Sequence, residues 1–149
     1  SDEDRIAYPW TNYLKGISKM TLTIDRITNV NMNKDLLNQY IAELRCARGF
    51  LAFLLYDLYG PIIVADLETL KNAEDEIILP RLSEEETHNF IVTELTEAAK
   101  VLPYSYDKSS SDYGRFTKGL CHMVLLKFYM QTKQWDKAIT EARELQKPE

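Results

Sequence analysis

Residues 34–61 read Lys-Asp-Leu-Leu-Asn-Gln-Tyr-Ile-Ala-Glu-Leu-Arg-Cys-Ala-Arg-Gly-Phe-Leu-Ala-Phe-Leu-Leu-Tyr-Asp-Leu-Tyr-Gly-Pro. Leu37, Ile41, Leu44, Ala47, Leu51, Leu54 and Leu58 recur every three or four residues, the period of a helix face. Tyr40, Phe50, Phe53 and Leu55 widen that stripe, so the helix predicted over 34–59 is apolar on more than one side and needs several neighbours to cover it. Gly60-Pro61 ends it, because proline disfavours a helical conformation at the residue before it. A long central helix of this kind implies an all-α fold built around it.

The flanking sequence supplies the neighbours. Upstream, Trp10, Tyr13, Leu14, Ile17, Met20, Thr21, Ile24 and Ile27 form one amphipathic face, with Pro9 expected in its first turn, where a missing N–H is harmless. Downstream, residues 62–65 read as a short extended piece and 66–81 as a long connection containing the acidic Glu74-Asp75-Glu76. Ser83 and Glu86 make a capping box that opens a helix with Phe90, Ile91, Leu95, Ala98, Ala99 and Leu102 on its buried face and Pro103 beyond its end. Residues 104–114, Tyr-Ser-Tyr-Asp-Lys-Ser-Ser-Ser-Asp-Tyr-Gly, form a polar loop carrying aromatics. Thr117 caps a helix running to about Thr132 whose Leu120, Cys121, Met123, Val124, Leu125, Phe128 and Tyr129 cover most of its circumference, placing it centrally. A last helix begins near Trp135 and buries Ala138, Ile139, Ala142 and Leu145.

These last two helices are joined by a short turn around Lys133-Gln134 and form a helical hairpin. Tyr129, Trp135 and Ala138 partly match the tetratricopeptide repeat, although Leu126 stands where that repeat has a small residue and Ala142 where it has a larger one. Such units stack, because one pair cannot bury its own apolar face. The expected architecture is therefore an array of antiparallel helical hairpins, TPR-like, with long loops.

Composition narrows function. The 149 residues carry 18 Lys and Arg against 23 Asp and Glu, a net charge of −5, which excludes the basic stripe that nucleic acid requires. Only five glycines and five prolines disfavour an all-β chain. Cys46, Cys121, His88 and His122 show neither CxxC nor HxxxH spacing, so no metal site or cofactor is expected, and the two thiols are read as buried in helices with a disulfide left open. No GxSxG, P-loop, GxGxxG or HExxH motif is present, and no catalytic residue is assigned. Asp57, set among apolar residues, is expected to pair with Arg45 or Arg48. The longest apolar run, 50–56, falls far short of the ~20 residues that span a bilayer. The start, Ser1-Asp2-Glu3-Asp4, is no signal peptide, and the abrupt close on Gln146-Lys147-Pro148-Glu149 suggests a piece of a longer protein.

Five aromatics are the candidates for ligand contact: Tyr8, Trp10, Tyr104, Tyr106 and Tyr113. Aromatic faces stack on sugar rings and also anchor interfaces. Trp10 continues the helical stripe, which favours packing for it, while the loop tyrosines suit packing and ligand contact equally.

Ala42-Glu43-Leu44-Arg45-Cys46-Ala47-Arg48-Gly49-Phe50, running on to Leu58-Tyr59-Gly60-Pro61, resembles a stretch of the SusD/RagB family. Four further blocks are similar to that family in its own order: residues 13–27, Arg81-Leu82-Ser83 through Leu102-Pro103, Gly114-Arg115-Phe116-Thr117-Lys118-Gly119, and Trp135-Asp136-Lys137-Ala138. Gly49 replaces the family's usual alanine and Thr21 its usual asparagine, and the turn at Gly60-Pro61 is shorter. The resemblance implies a non-catalytic, glycan-binding surface lipoprotein of a Bacteroidetes outer membrane, seated over a TonB-dependent, SusC-like transporter. Residues 1–149 would then be its helical scaffold region, without the lipidated leader that attaches it to the membrane and without the C-terminal portion. The family's ligand residues follow no fixed motif, so none carries over. The rival reading is a free-standing TPR-like adaptor that binds proteins.

Overall fold

The computed structural model describes residues 2–72 and 78–147. The acidic run Glu74-Asp75-Glu76 with Ile77, the first residue Ser1 and the closing Pro148-Glu149 lie outside them. Among the described residues there are six helices: α1 (Asp2–Thr28), α2 (Lys34–Tyr59), α3 (Leu67–Asn72), α4 (Glu84–Val101), α5 (Lys118–Gln131) and α6 (Trp135–Leu145). No strand occurs among the described residues. The fold is all-α: α1, α2, α4, α5 and α6 each pack on the next, and short turns or long-range contacts make neighbours antiparallel.

Helix ends follow from their capping residues. Asn33 Oδ1 accepts the N–H groups of Asp35 and Leu36 at 2.9 and 3.1 Å and starts α2. Gly60, at φ 71, closes it. At α4, Glu86 N–H donates to Ser83 Oγ at 3.1 Å while Ser83 N–H donates to Glu86 Oε2 at 2.7 Å, the capping box read from the sequence. That bond from Ser83 holds the Glu86 carboxyl below the usual carboxylate range. Leu120 N–H donates to Thr117 Oγ1 at 3.1 Å and starts α5. Between α5 and α6, Gln134 N–H reaches Tyr129 O and Lys133 N–H reaches Met130 O, a Schellman turn with Lys133 in the left-handed region at φ 58.

Three expectations about these elements are corrected. Pro9 lies inside α1 rather than in its first turn, since the helix already begins at Asp2. Carbonyls flanking it take side-chain donors: Tyr59 Oη donates to Ile6 O and Asn12 Nδ2 to Tyr8 O. Beyond α2, Ile62 is buried and Leu82 N–H donates to its carbonyl at 2.8 Å. The 66–81 connection contains α3, opened by Asp66 Oδ1 accepting Thr69 N–H at 2.7 Å and tied to α1 by Lys71–Asp25 at 2.7 Å. Three helices are less covered than their patterns suggest: α5 exposes Met123 and Met130, α6 exposes Trp135 and Ile139, and only Ile17 of the α1 stripe is fully buried.

The core lies between α2, α4 and α5, filled by Ala52, Leu55, Ile91, Leu95, Ala98, Val124, Leu125 and Phe128. At Gly49 α4 comes so close that an added Cβ would lie 2.9 Å from Leu95 Cγ and 3.0 Å from Glu94 Cβ. Beside this approach sits a polar knot. Glu94, 5% exposed, takes Arg45 on Oε1 at 3.0 Å and Arg48 on Oε2 at 2.6 Å, and Arg48 also donates to Thr21 Oγ1 at 2.9 Å. One carboxylate thus ties α1, α2 and α4 together. Asp57, by contrast, is exposed and pairs with neither arginine. Nine residues separate it from Arg48, which at 100° per residue turns it about 180° around the helix.

Candidate functional site

The five aromatic candidates divide into two groups at opposite ends of α2. Tyr8, 68% exposed, and Trp10 lie near the start of α1. Trp10 is half-buried: Tyr59 meets it edge-on at 5.2 Å, and the Arg81 guanidinium lies over its ring at 4.5 Å. Arg81 also donates to the carbonyls of Tyr59 and Pro61 at 2.7 and 3.1 Å, so it closes the end of α2. Tyr104, Tyr106 and Tyr113 belong to the 104–114 loop at the other end, where Gln39 Nε2 donates to Tyr106 Oη at 3.0 Å. Tyr59 and Gln39 are twenty residues apart on α2, about 30 Å at 1.5 Å per residue. A short ligand cannot touch both groups.

The loop is held in shape along its length. Lys118 N–H donates to Pro103 O at 2.7 Å and Gly119 N–H to Tyr104 O at 3.1 Å, which fixes its base on the start of α5. Tyr104 Oη donates to Glu144 O at 3.0 Å and bolts the loop to α6. Asp107 accepts the hydroxyl and N–H of Ser109, and those bonds hold its carboxyl below the usual range. Arg115 bridges Glu43 of α2 at 2.8 Å and Asp112 of the loop at 2.9 Å, and its guanidinium lies over the Tyr40 ring at 5.6 Å. Glu43 first and Asp112 second raise the basicity of that guanidinium.

This framework encloses one side of a cleft of about 520 Å³. Asp35, Asn38 and Gln39 line it from the first turns of α2, Val101 and Pro103 from the end of α4, and Tyr106 and Asp112 from the loop. Carboxylates and amides at the rim can accept from and donate to hydroxyl groups, and the tyrosine ring offers an apolar face. Among the aromatic candidates, Tyr106 lines this cleft, Tyr104 anchors the loop behind it, and Tyr113 stands 59% exposed on the same loop. Asp35, Asn38, Gln39 and Asp112 were not legible as site residues, because exposed polar positions on a helix or loop look like an ordinary solvated face.

Two other polar clusters have structural geometry. Tyr56 Oη donates to Glu84 Oε1 at 2.5 Å, and His88 Nε2 meets the same hydroxyl at 2.7 Å. Burial, and then the bond to Glu84, push the Tyr56 phenol up to about 12, so it keeps its proton at neutral pH. The ring of His88 stands edge-on to Tyr56 and Phe128, which makes the cluster a latch between α2, α4 and α5. His122 Nδ1 meets Glu141 Oε2 at 2.6 Å and joins α5 to α6. Among the described residues no group of three or more His, Cys, Asp or Glu side chains could hold a metal ion. Nor is any helix among them long and apolar enough to cross a membrane.

The SusD-like family described as starch-binding and associating with the outer membrane matches residues 1–130. No curated protein matches the chain. Among solved structures, a SusD-like protein from Bacteroides fragilis is similar over 98% of this chain and 27% of its own, at 26% identity and a TM-score of 0.83. A laminarin-binding SusD-like protein is similar over 92% of this chain and 29% of its own, at 21% identity and a TM-score of 0.77. Surface glycan-binding protein A from Bacteroides uniformis is similar over 95% of this chain and 32% of its own, at 22% identity and a TM-score of 0.79. The chain therefore spans less than a third of the length of each of these structures.

Proposed function

The chain belongs to the SusD-like family, and from that premise we propose that it is the helical scaffold of a longer, non-catalytic glycan-binding protein at the outer membrane. The family match over residues 1–130 carries this reading. The cleft at the 104–114 loop is its local support. Tyr106 supplies a ring for the apolar face of a sugar, and Asp35, Asn38, Gln39 and Asp112 supply partners for its hydroxyls. Tyr113 extends that surface while Tyr104 holds the loop behind it, and Tyr8 and Trp10 are a second, separate contact zone about 30 Å away along α2.

The remainder of the proposed protein packs on the exposed apolar residues of the last hairpin, Met123, Met130, Trp135 and Ile139. A lipid anchor holds it at the cell surface, where it hands glycan to a TonB-dependent, SusC-like transporter. Helical hairpins also serve as protein-binding adaptors, and the family match favours glycan over that use.

Affinity electrophoresis tests the reading. The full-length protein, run through gels containing laminarin, starch and other polysaccharides, is expected to be retarded by at least one. Uniform mobility in all of them, with no change in tryptophan or tyrosine fluorescence on adding the same glycans, would count against it.

A further inference from the structure

Cys46 and Cys121 are 75 residues apart in sequence, yet their sulfurs lie 3.4 Å apart. Cys46 sits mid-way along α2 and Cys121 in the first turn of α5. Both are wholly buried and both are free thiols. The two helices are not consecutive, so the pairing is made by the tertiary fold. At this separation the sulfurs are in direct contact, and a disulfide at about 2.05 Å needs them to close by only ~1.4 Å, within reach of side-chain rotation and a small helix shift. No metal explains the pair, since among the described residues no cluster could hold one.

We propose that Cys46 and Cys121 are a disulfide site, oxidised as the chain folds in a compartment that supplies small disulfides as oxidant. One thiolate attacks a sulfur of the oxidant, forming a mixed disulfide and releasing one thiol. The second cysteine gives up its proton and attacks the cysteine sulfur of that mixed disulfide, releasing the other thiol. The two cysteines lose two electrons and two protons in total, and the oxidant is reduced to two thiols. The reaction belongs to folding rather than to the finished protein. Once the core closes, contact with Cys121 and burial push the Cys46 thiol far up, so the thiolate that exchange requires is scarce. The ring closed by the new bond contains α3, α4 and the 104–114 loop, so it restrains the cleft wall that Val101, Pro103, Tyr106 and Asp112 supply.

Refolding of the denatured, reduced full-length protein with oxidised glutathione tests the site. The expected product has lost the mass of two hydrogens, yields a Cys46–Cys121 cross-linked peptide that reductant abolishes, and melts about 4 °C above the reduced form. Cys46→Ala and Cys121→Ala are each expected to lose the melting shift on oxidation. Recovery of a folded protein whose two thiols both react after denaturation, or carry glutathione instead of each other, would overturn the proposal. That readout is made on the wild-type chain and does not depend on either variant folding.

Discussion

Glu94 is the residue on which α1, α2 and α4 converge. Its two oxygens take Arg45 and Arg48, and Arg48 passes the connection on to Thr21 of α1. Removing the charge leaves two partly buried guanidinium groups beside a neutral side chain. Glu94→Gln is expected to cost about 3 kcal/mol, measured by urea unfolding. Tyr56 sets a different dependence. Its phenol ordinarily loses its proton near 10.0, and the fold holds it to about 12. Folding stability from this group is therefore complete below 10 and is lost as pH rises toward 12, because the unfolded chain releases the proton first. Tyr56→Phe is expected to flatten the fall in stability over that alkaline range, followed by chemical denaturation at successive pH values. The Glu94 position was open to inference from sequence, since it follows Ile91 by three residues and so shares its buried face. Asp57 misled because its apolar neighbours suggested burial, while its angular position on α2 put it in solvent.

At the scale of the element, helices with clear caps and a sustained period were legible, and the short or interrupted ones were not. α2 and α4 begin and end where their capping and breaking residues place them. α3 was missed because six residues carry too little periodicity to register, leaving Asp66 before Thr69 as its one signal. The first two turns of α1 were missed because Pro9 reads as a start. Gly49 shows how tightly two elements fit. A methyl group there gains up to about 1 kcal/mol of helix propensity but meets Leu95 and Glu94 side-chain atoms at 3.0 Å or less. Gly49→Ala is expected to lower stability by about 1–2 kcal/mol net, read from the urea midpoint. The α5–α6 turn offers the reverse case. Lys133 occupies the left-handed position that glycine fills at lower cost, and Lys133→Gly is expected to raise stability by about 0.5–1 kcal/mol in thermal melts.

Across the whole molecule, the helix array supports the loops. The α2–α4–α5 core fixes the 104–114 loop through its base on α5, through Tyr104 on α6 and through Arg115 on Glu43. Sequence pointed to the loop tyrosines but not to their partners, Gln39 of α2 for Tyr106 and Glu144 of α6 for Tyr104, which are joined to them only by the fold. We propose that this scaffold presents a glycan-binding surface with Tyr106 in it. Isothermal titration of the full-length protein with soluble oligosaccharides tests that most directly, comparing wild type with Tyr106→Ala. Saturable binding, weakened roughly fivefold by loss of about 1 kcal/mol of ring contact while the melting temperature stays the same, is the predicted result. Absence of binding to every oligosaccharide, or equal affinity in the two proteins, would contradict it.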